Sequence, residues 1–90
     1  PANKEPEHII LKASPNRFPY IVSKPIHTSQ QTINEEECLL SLDVIPNKEL
    51  DQQLLSFGPD LEVISPTSFR KHIGEIISKS YEKYFLMQKG

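Results

Sequence analysis

The stretch Leu54-Leu55-Ser56-Phe57-Gly58-Pro59-Asp60-Leu61-Glu62-Val63-Ile64-Ser65-Pro66 constrains the fold of this chain more than any other. Gly58 is free to take the left-handed conformation that closes a helix, and Pro59 cannot extend one. Leu61-Glu62-Val63-Ile64 is a short apolar run with the branched residues of a largely buried strand. Ser65-Pro66 then reads as an N-cap followed by a first helical proline, which loses no hydrogen bond there. A helix, a sharp reversal, a strand and a second helix follow one another without spare residues. By itself this corner says nothing of function.

The rest of the chain supplies the partners of that corner. His8 to Ser14 alternates, with Ile9, Leu11 and Ala13 on one face and His8, Ile10 and Lys12 on the other. Arg17 to Lys24 reads as a short helix capped by Asn16, with Phe18, Ile21 and Val22 along one side. An irregular turn is the alternative, because Pro19 disfavours the helical region for Phe18. Ile26 to Ile33 is polar and threonine-bearing and is expected as a strand with one solvated face, and Asn34 to Glu37 as a hairpin loop. Cys38 to Ile45 has the clearest strand pattern: Cys38, Leu40, Leu42 and Val44 point one way. Asn47 caps the next helix, and Leu50, Leu54 and Phe57 repeat along it.

Ser65 is expected to open a long helix running to about Met87, with Phe69, Ile73, Ile76 and Ile77 as core contacts. At 1.5 Å per residue it extends roughly 30 Å, more than a short sheet needs for cover. Gly74 inside it either permits a close helix approach or is simply tolerated. The outer end, with Tyr81, Tyr84, Phe85 and Met87, is divided between self-packing and a subunit or interdomain contact. The order of elements is the split βαβ pattern of an α+β, ferredoxin-like βαββαβ fold. It has a four-stranded antiparallel sheet, two helices on one face and a long C-terminal helix. Residues 1–7 read as a linker and 8–87 as one domain.

Chemistry is sparse. The 90 residues carry a net charge of −2, which gives no global attraction to nucleic acid or anionic lipid. His8, His27 and His72 lack metal-ligand spacing, and the single cysteine, Cys38, reads as a small buried hydrophobe in a reducing compartment. Glu35-Glu36-Glu37 reads as a solvated turn. No phosphate-cradling glycine loop is present, and no apolar run approaches the ~20 residues of a membrane span. The expectation is no enzyme, no catalytic residue, no metal, no cofactor, no membrane, and a cytoplasmic location. The strands carry no aromatic residue, so the base-stacking surface of sheet-type RNA binders is missing. A local basic set remains: Lys12, Arg17, Lys24 and His27 are candidates to converge on one edge and contact a ligand. The plainer reading of them is scattered solvated charge.

Lys24-Pro25-Ile26-His27-Thr28-Ser29-Gln30, an apolar strand, and then the corner from Leu54 to Pro66 with a helix ending in tyrosine resemble, in that order and spacing, the WYL C-terminal extension (WCX) domain. The resemblance covers nearly all of His8 to Tyr84. It implies a ferredoxin-like fold. It also implies a context: a bacterial transcription regulator with a winged helix-turn-helix, a WYL domain and this extension in one chain. DNA would be bound by the upstream domain, and the extension would serve dimerisation and the relay or completion of effector sensing. The matching positions are Arg17, Lys24, His27, Ser29, Gln30 and the Gly58-Pro59 corner, the last architectural. With Lys12 from the local basic set, the candidate ligand set is Lys12, Arg17, Lys24, His27 and Gln30, and the alternative function is contact with a nucleotide or single-stranded nucleic acid. Pro1 as first residue fits a C-terminal piece of a longer chain, with homodimerisation expected.

Overall fold

In a computed structural model, residues 5–86 are described. Four strands, β1 (Glu7–Ala13), β2 (Gln31–Asn34), β3 (Leu39–Val44) and β4 (Leu61–Ser65), form one antiparallel sheet in the order β2-β3-β1-β4. Helix α1 (Phe18–Ser23) connects β1 to β2, α2 (Lys48–Leu55) connects β3 to β4, and α3 (Thr67–Tyr81) follows β4. The fold is ferredoxin-like α+β.

The alternation seen in the sequence sets the register. Ile9 faces Leu42 and Leu11 faces both Leu40 and Val63, so one sheet face carries a continuous apolar layer. Phe18 and Ile21 of α1, Leu50 and Leu54 of α2, and Phe69 and Ile73 of α3 close over that layer. Ile9, Leu11, Ile21, Leu40 and Leu42 are wholly buried. At ~25 cal/mol per Å² of apolar surface, these side chains supply most of the stability available to so small a domain.

Local signals account for the ends of the elements, with several departures from expectation. Asn47 does cap α2, its Oδ1 accepting from the Leu50 N–H at 2.7 Å. Gly58 takes φ +60 at the start of a 3₁₀ turn (Gly58–Asp60), the left-handed stop foreseen for it. Phe18-Pro19 does enter a helix, but Asn16 is not its cap. The Asn16 Oδ1 accepts from the Ser14 hydroxyl, and the helix starts on a turn in which the Arg17 and Phe18 N–H groups donate to the Ser14 carbonyl. A helix of one and a half turns buries one narrow face, so Val22 is exposed and Ile26 packs against the core in its place.

Ser65 is not an N-cap. It ends β4, across from Ile10, and Pro66, after a cis peptide bond, takes the cap position before Thr67. Cys38 is buried as expected but precedes β3, a turn residue with φ +59. The expected strand over Ile26–Ile33 shortens to Gln31–Asn34. Its polar residues satisfy the backbone locally, which competes with a sheet ladder.

The last helix behaves differently along its length. Phe69 and Ile73 enter the core and Ile76 is half-buried, but Ile77 is exposed, contrary to its expected core role. After Tyr81 the chain continues as a π-helical turn, Glu82–Leu86. Every residue from 77 to 86 is exposed. The radius of gyration, 14.3 Å, exceeds the ~12 Å of a compact chain of this length, as a projecting element requires.

Candidate functional site

The basic residues do not gather at one edge. Lys12 lies late in β1 on the face away from the core, with its Nζ 3.3 Å from Glu37 Oε1. Arg17 lies beyond the end of β1. Its guanidinium sits over the Tyr20 ring at 4.6 Å and the Phe57 ring at 5.7 Å. Because α1 runs back along the sheet, Lys24 and His27 fall at the opposite end, where β1 begins. At a strand rise of 3.3 Å per residue, β1 separates His8 from Lys12 by roughly 13 Å.

His27, Ser29 and Gln30 are instead parts of one built loop. The Ser29 N–H donates to His27 Nδ1 at 3.0 Å, and the Ser29 hydroxyl lies 2.8 Å from the same nitrogen. The Ser29 Oγ also accepts from the Asp43 N–H at 2.8 Å, tying the loop to β3. The Gln30 amide spans the loop: its nitrogen donates to the Ile21 carbonyl at 3.1 Å and its oxygen accepts from the Ile26 N–H at 2.8 Å. The serine and histidine stand at the separation of a nucleophile and its base. Both atoms, however, are committed to backbone groups, and the nearby Asp43 carboxylate pairs with His8 at 2.8 Å. The sequence motif around His27 is thus visible in the structure as a clamp between α1 and β3. Its signal in the sequence was the cluster of short polar side chains, which favour local turns.

The second candidate surface begins at the edge strand β4. An exposed strand edge invites pairing with another chain, and α3 lies along it. Arg70 Nη1 donates to the Val63 carbonyl and to Glu62 Oε2, both at 2.7 Å. His72 Nε2 and Asp51 Oδ2, also 2.7 Å apart, fasten α3 to α2. Between α3, β4 and the end of α2 runs an apolar groove of about 700 Å³, with Leu54, Pro59, Leu61, Ile73, Gly74 and Ile77 among its walls. The sequence reading did not foresee this groove, because it joins residues from three separate elements.

Beyond the groove, the same side of α3 continues as an apolar stripe. Ile77 is 53% exposed, Tyr81 53%, Tyr84 76%, Phe85 65% and Leu86 62%. The Tyr81 and Phe85 rings pack with centroids 5.0 Å apart and planes tilted by 36°, one helical turn apart. Tyr81, Tyr84 and Phe85 therefore share the outer end foreseen for them, and Met87 lies outside the described residues. A Cβ added at Gly74 would meet nothing within 4 Å, so no packing inside the domain demands a glycine there. Among the described residues no group of three His, Cys, Asp or Glu side chains is placed to hold a metal, and no helix is long and apolar enough to cross a membrane.

A closed ferredoxin-like core is thus extended by a helix that leaves the sheet and carries an apolar face outward. The family model of the WCX domain matches residues 5–81, and the chain belongs to that family. It is accordingly a regulatory domain of the type associated with WYL-family regulators. No curated protein matches the chain.

Proposed function

We propose that the chain is the C-terminal regulatory module of a helix-turn-helix WYL regulator. It is non-enzymatic and acts through dimer and interdomain contacts that relay effector sensing to an upstream DNA-binding domain. The observation that carries this reading is the outward apolar stripe from Ile77 to Leu86, continuous with the groove at β4. Solvent-facing apolar area of this extent on a small domain marks a contact surface. The alternative, a nucleotide contact through a basic edge, lacks the convergence of Lys12, Arg17, Lys24 and His27 that it requires.

The test uses the intact regulator carrying Tyr81→Ser and Phe85→Ser together. Light scattering and operator mobility shift are expected to show a smaller particle and weaker DNA binding. An unchanged particle mass with unchanged operator affinity overturns the proposal.

A further inference from the structure

From the outer edge of β4 we infer a strand-accepting site. It takes an extended segment of a partner polypeptide in which apolar residues alternate with basic ones, and Arg70 holds the place of that segment in the free domain. The site lies at the edge of the sheet and does not depend on the contacts proposed for the outer end of α3.

The backbone of β4 sets out what an occupant must supply. The Ser14 N–H donates to the Asp60 carbonyl at 2.9 Å, so Asp60 turns its backbone toward the β1 side. Antiparallel pairing alternates, so Glu62 also turns to β1 while Leu61 and Val63 direct their N–H and C=O groups outward. Among the described residues, Leu61 and the Val63 N–H find no partner there. Unpaired main-chain groups along a strand edge are matched by another extended backbone, which a helix or a small apolar molecule does not provide.

Arg70 shows the chemistry that fits. Its Nη1 donates at 2.7 Å to the Val63 carbonyl, where an added strand would place an N–H. The same nitrogen lies 2.7 Å from Glu62 Oε2, on a side of the sheet that no helix covers. One side chain thus supplies both a main-chain donor and a cation across this edge. An added strand would present its own N–H to Val63 and a lysine or arginine beside Glu62, since opposite charges on neighbouring strands attract. Arg70 and Glu62 are both half-exposed, so the side chain has room to withdraw.

The groove specifies the other face of the segment. Leu61 and Val63 form one of its walls, and Ile73, Gly74 and Ile77 of α3 form another. Side chains of an added strand opposite Leu61 and Val63 turn to this side, two residues apart, and the one between them stands beside Glu62. A Cβ at Gly74 would meet nothing within 4 Å, so that wall is open to an incoming apolar side chain. The other edge of the sheet lacks these features. Strand β2 is four exposed residues with a register shift between Thr32 and Asn34, a break that discourages pairing.

The test uses the 90-residue chain and a synthetic, end-blocked heptapeptide in which lysine alternates with valine. Titration followed by amide hydrogen exchange is expected to show binding, with exchange at the Leu61 and Val63 N–H groups slowed about tenfold or more. The same peptide N-methylated at its valines, which lacks the N–H groups that face β4, is expected not to bind. Arg70→Ala vacates the edge and is expected to tighten binding several-fold, while Gly74→Gln narrows the groove and weakens it. Glu62→Gln is expected to abolish the preference for this peptide over one with serine in place of lysine. Equal binding of the N-methylated peptide, or binding that leaves the Leu61 and Val63 amides unprotected, overturns the inference, as does no binding at millimolar peptide. Protection of these amides that rises with the concentration of the chain alone assigns the edge to a second copy and overturns the occupant named here.

Discussion

The two halves of α3 are one helix with two opposite solutions to the same problem. From Thr67 to Ile76 the apolar side chains have a destination: Phe69 and Ile73 reach the core, and Arg70 and His72 fasten the helix to β4 and α2. From Ile77 to Leu86 the apolar content is higher still, yet every residue is exposed. Composition alone would bury the outer half first. The length of the sheet decides otherwise, since β4 has only five residues, Leu61–Ser65, and offers no surface beyond the first turns of α3. Apolar residues within the footprint of a sheet build the core, whereas those beyond it stay at the surface.

That contrast is broken most directly in the core. Leu42 is wholly buried, between β1 on one side and the helices above. Leu42→Ala is expected to cost about 2–5 kcal/mol in urea unfolding, while Phe85→Ala leaves monomer stability within ~0.5 kcal/mol. Comparable losses at the two sites would show that the outer end packs on its own domain.

Gln30 sharpens the comparison at smaller scale, because it was a candidate for ligand contact and is found holding the fold. Removing its amide leaves the Ile21 carbonyl and the Ile26 N–H without their partner. Gln30→Ala is expected to destabilise by about 1–3 kcal/mol in the same measurement. A surface glutamine serving only a ligand would leave the unfolding midpoint where it was.

Most of the sheet was legible in the sequence because strand alternation is a local signal. Ile9, Leu11 and Ala13, and Leu40, Leu42 and Val44, were assigned to their face from spacing alone, and that face is buried. The Asn47 cap and the Gly58 stop were legible for the same reason: each is decided by its own side chain and its immediate neighbours. The errors occurred where distant residues decide. Ser65 has the chemistry of a cap, but pairing of β4 with β1 carries the strand through it. Ile77 has the spacing of a core residue, but helical spacing does not reveal where the sheet stops. The basic set failed on topology: Lys12 and Arg17 are near His27 in the sequence, and α1 then carries the chain back to the other end of the sheet. The groove at β4 was not legible at all, since its walls come from α2, β4 and α3.

Gly74 gives the smallest expected effect, and the one with the most useful sign. A glycine in a helix interior costs about 1 kcal/mol against alanine, and nothing within 4 Å of an added Cβ compensates for that cost inside this domain. Gly74→Ala is therefore expected to stabilise the monomer by up to about 1 kcal/mol, raising the melting temperature by roughly 4 °C or more. The measurement belongs at low concentration, because a dimer adds stability by mass action and would mask the gain. If another chain packs against Gly74, the same substitution is expected to lose part of its advantage at high concentration, because the added methyl would stand in that contact. A melting curve that improves equally at both concentrations would mean that the glycine is merely tolerated. A gain that shrinks as concentration rises means that the helix gives up intrinsic stability at Gly74 for contact with another chain.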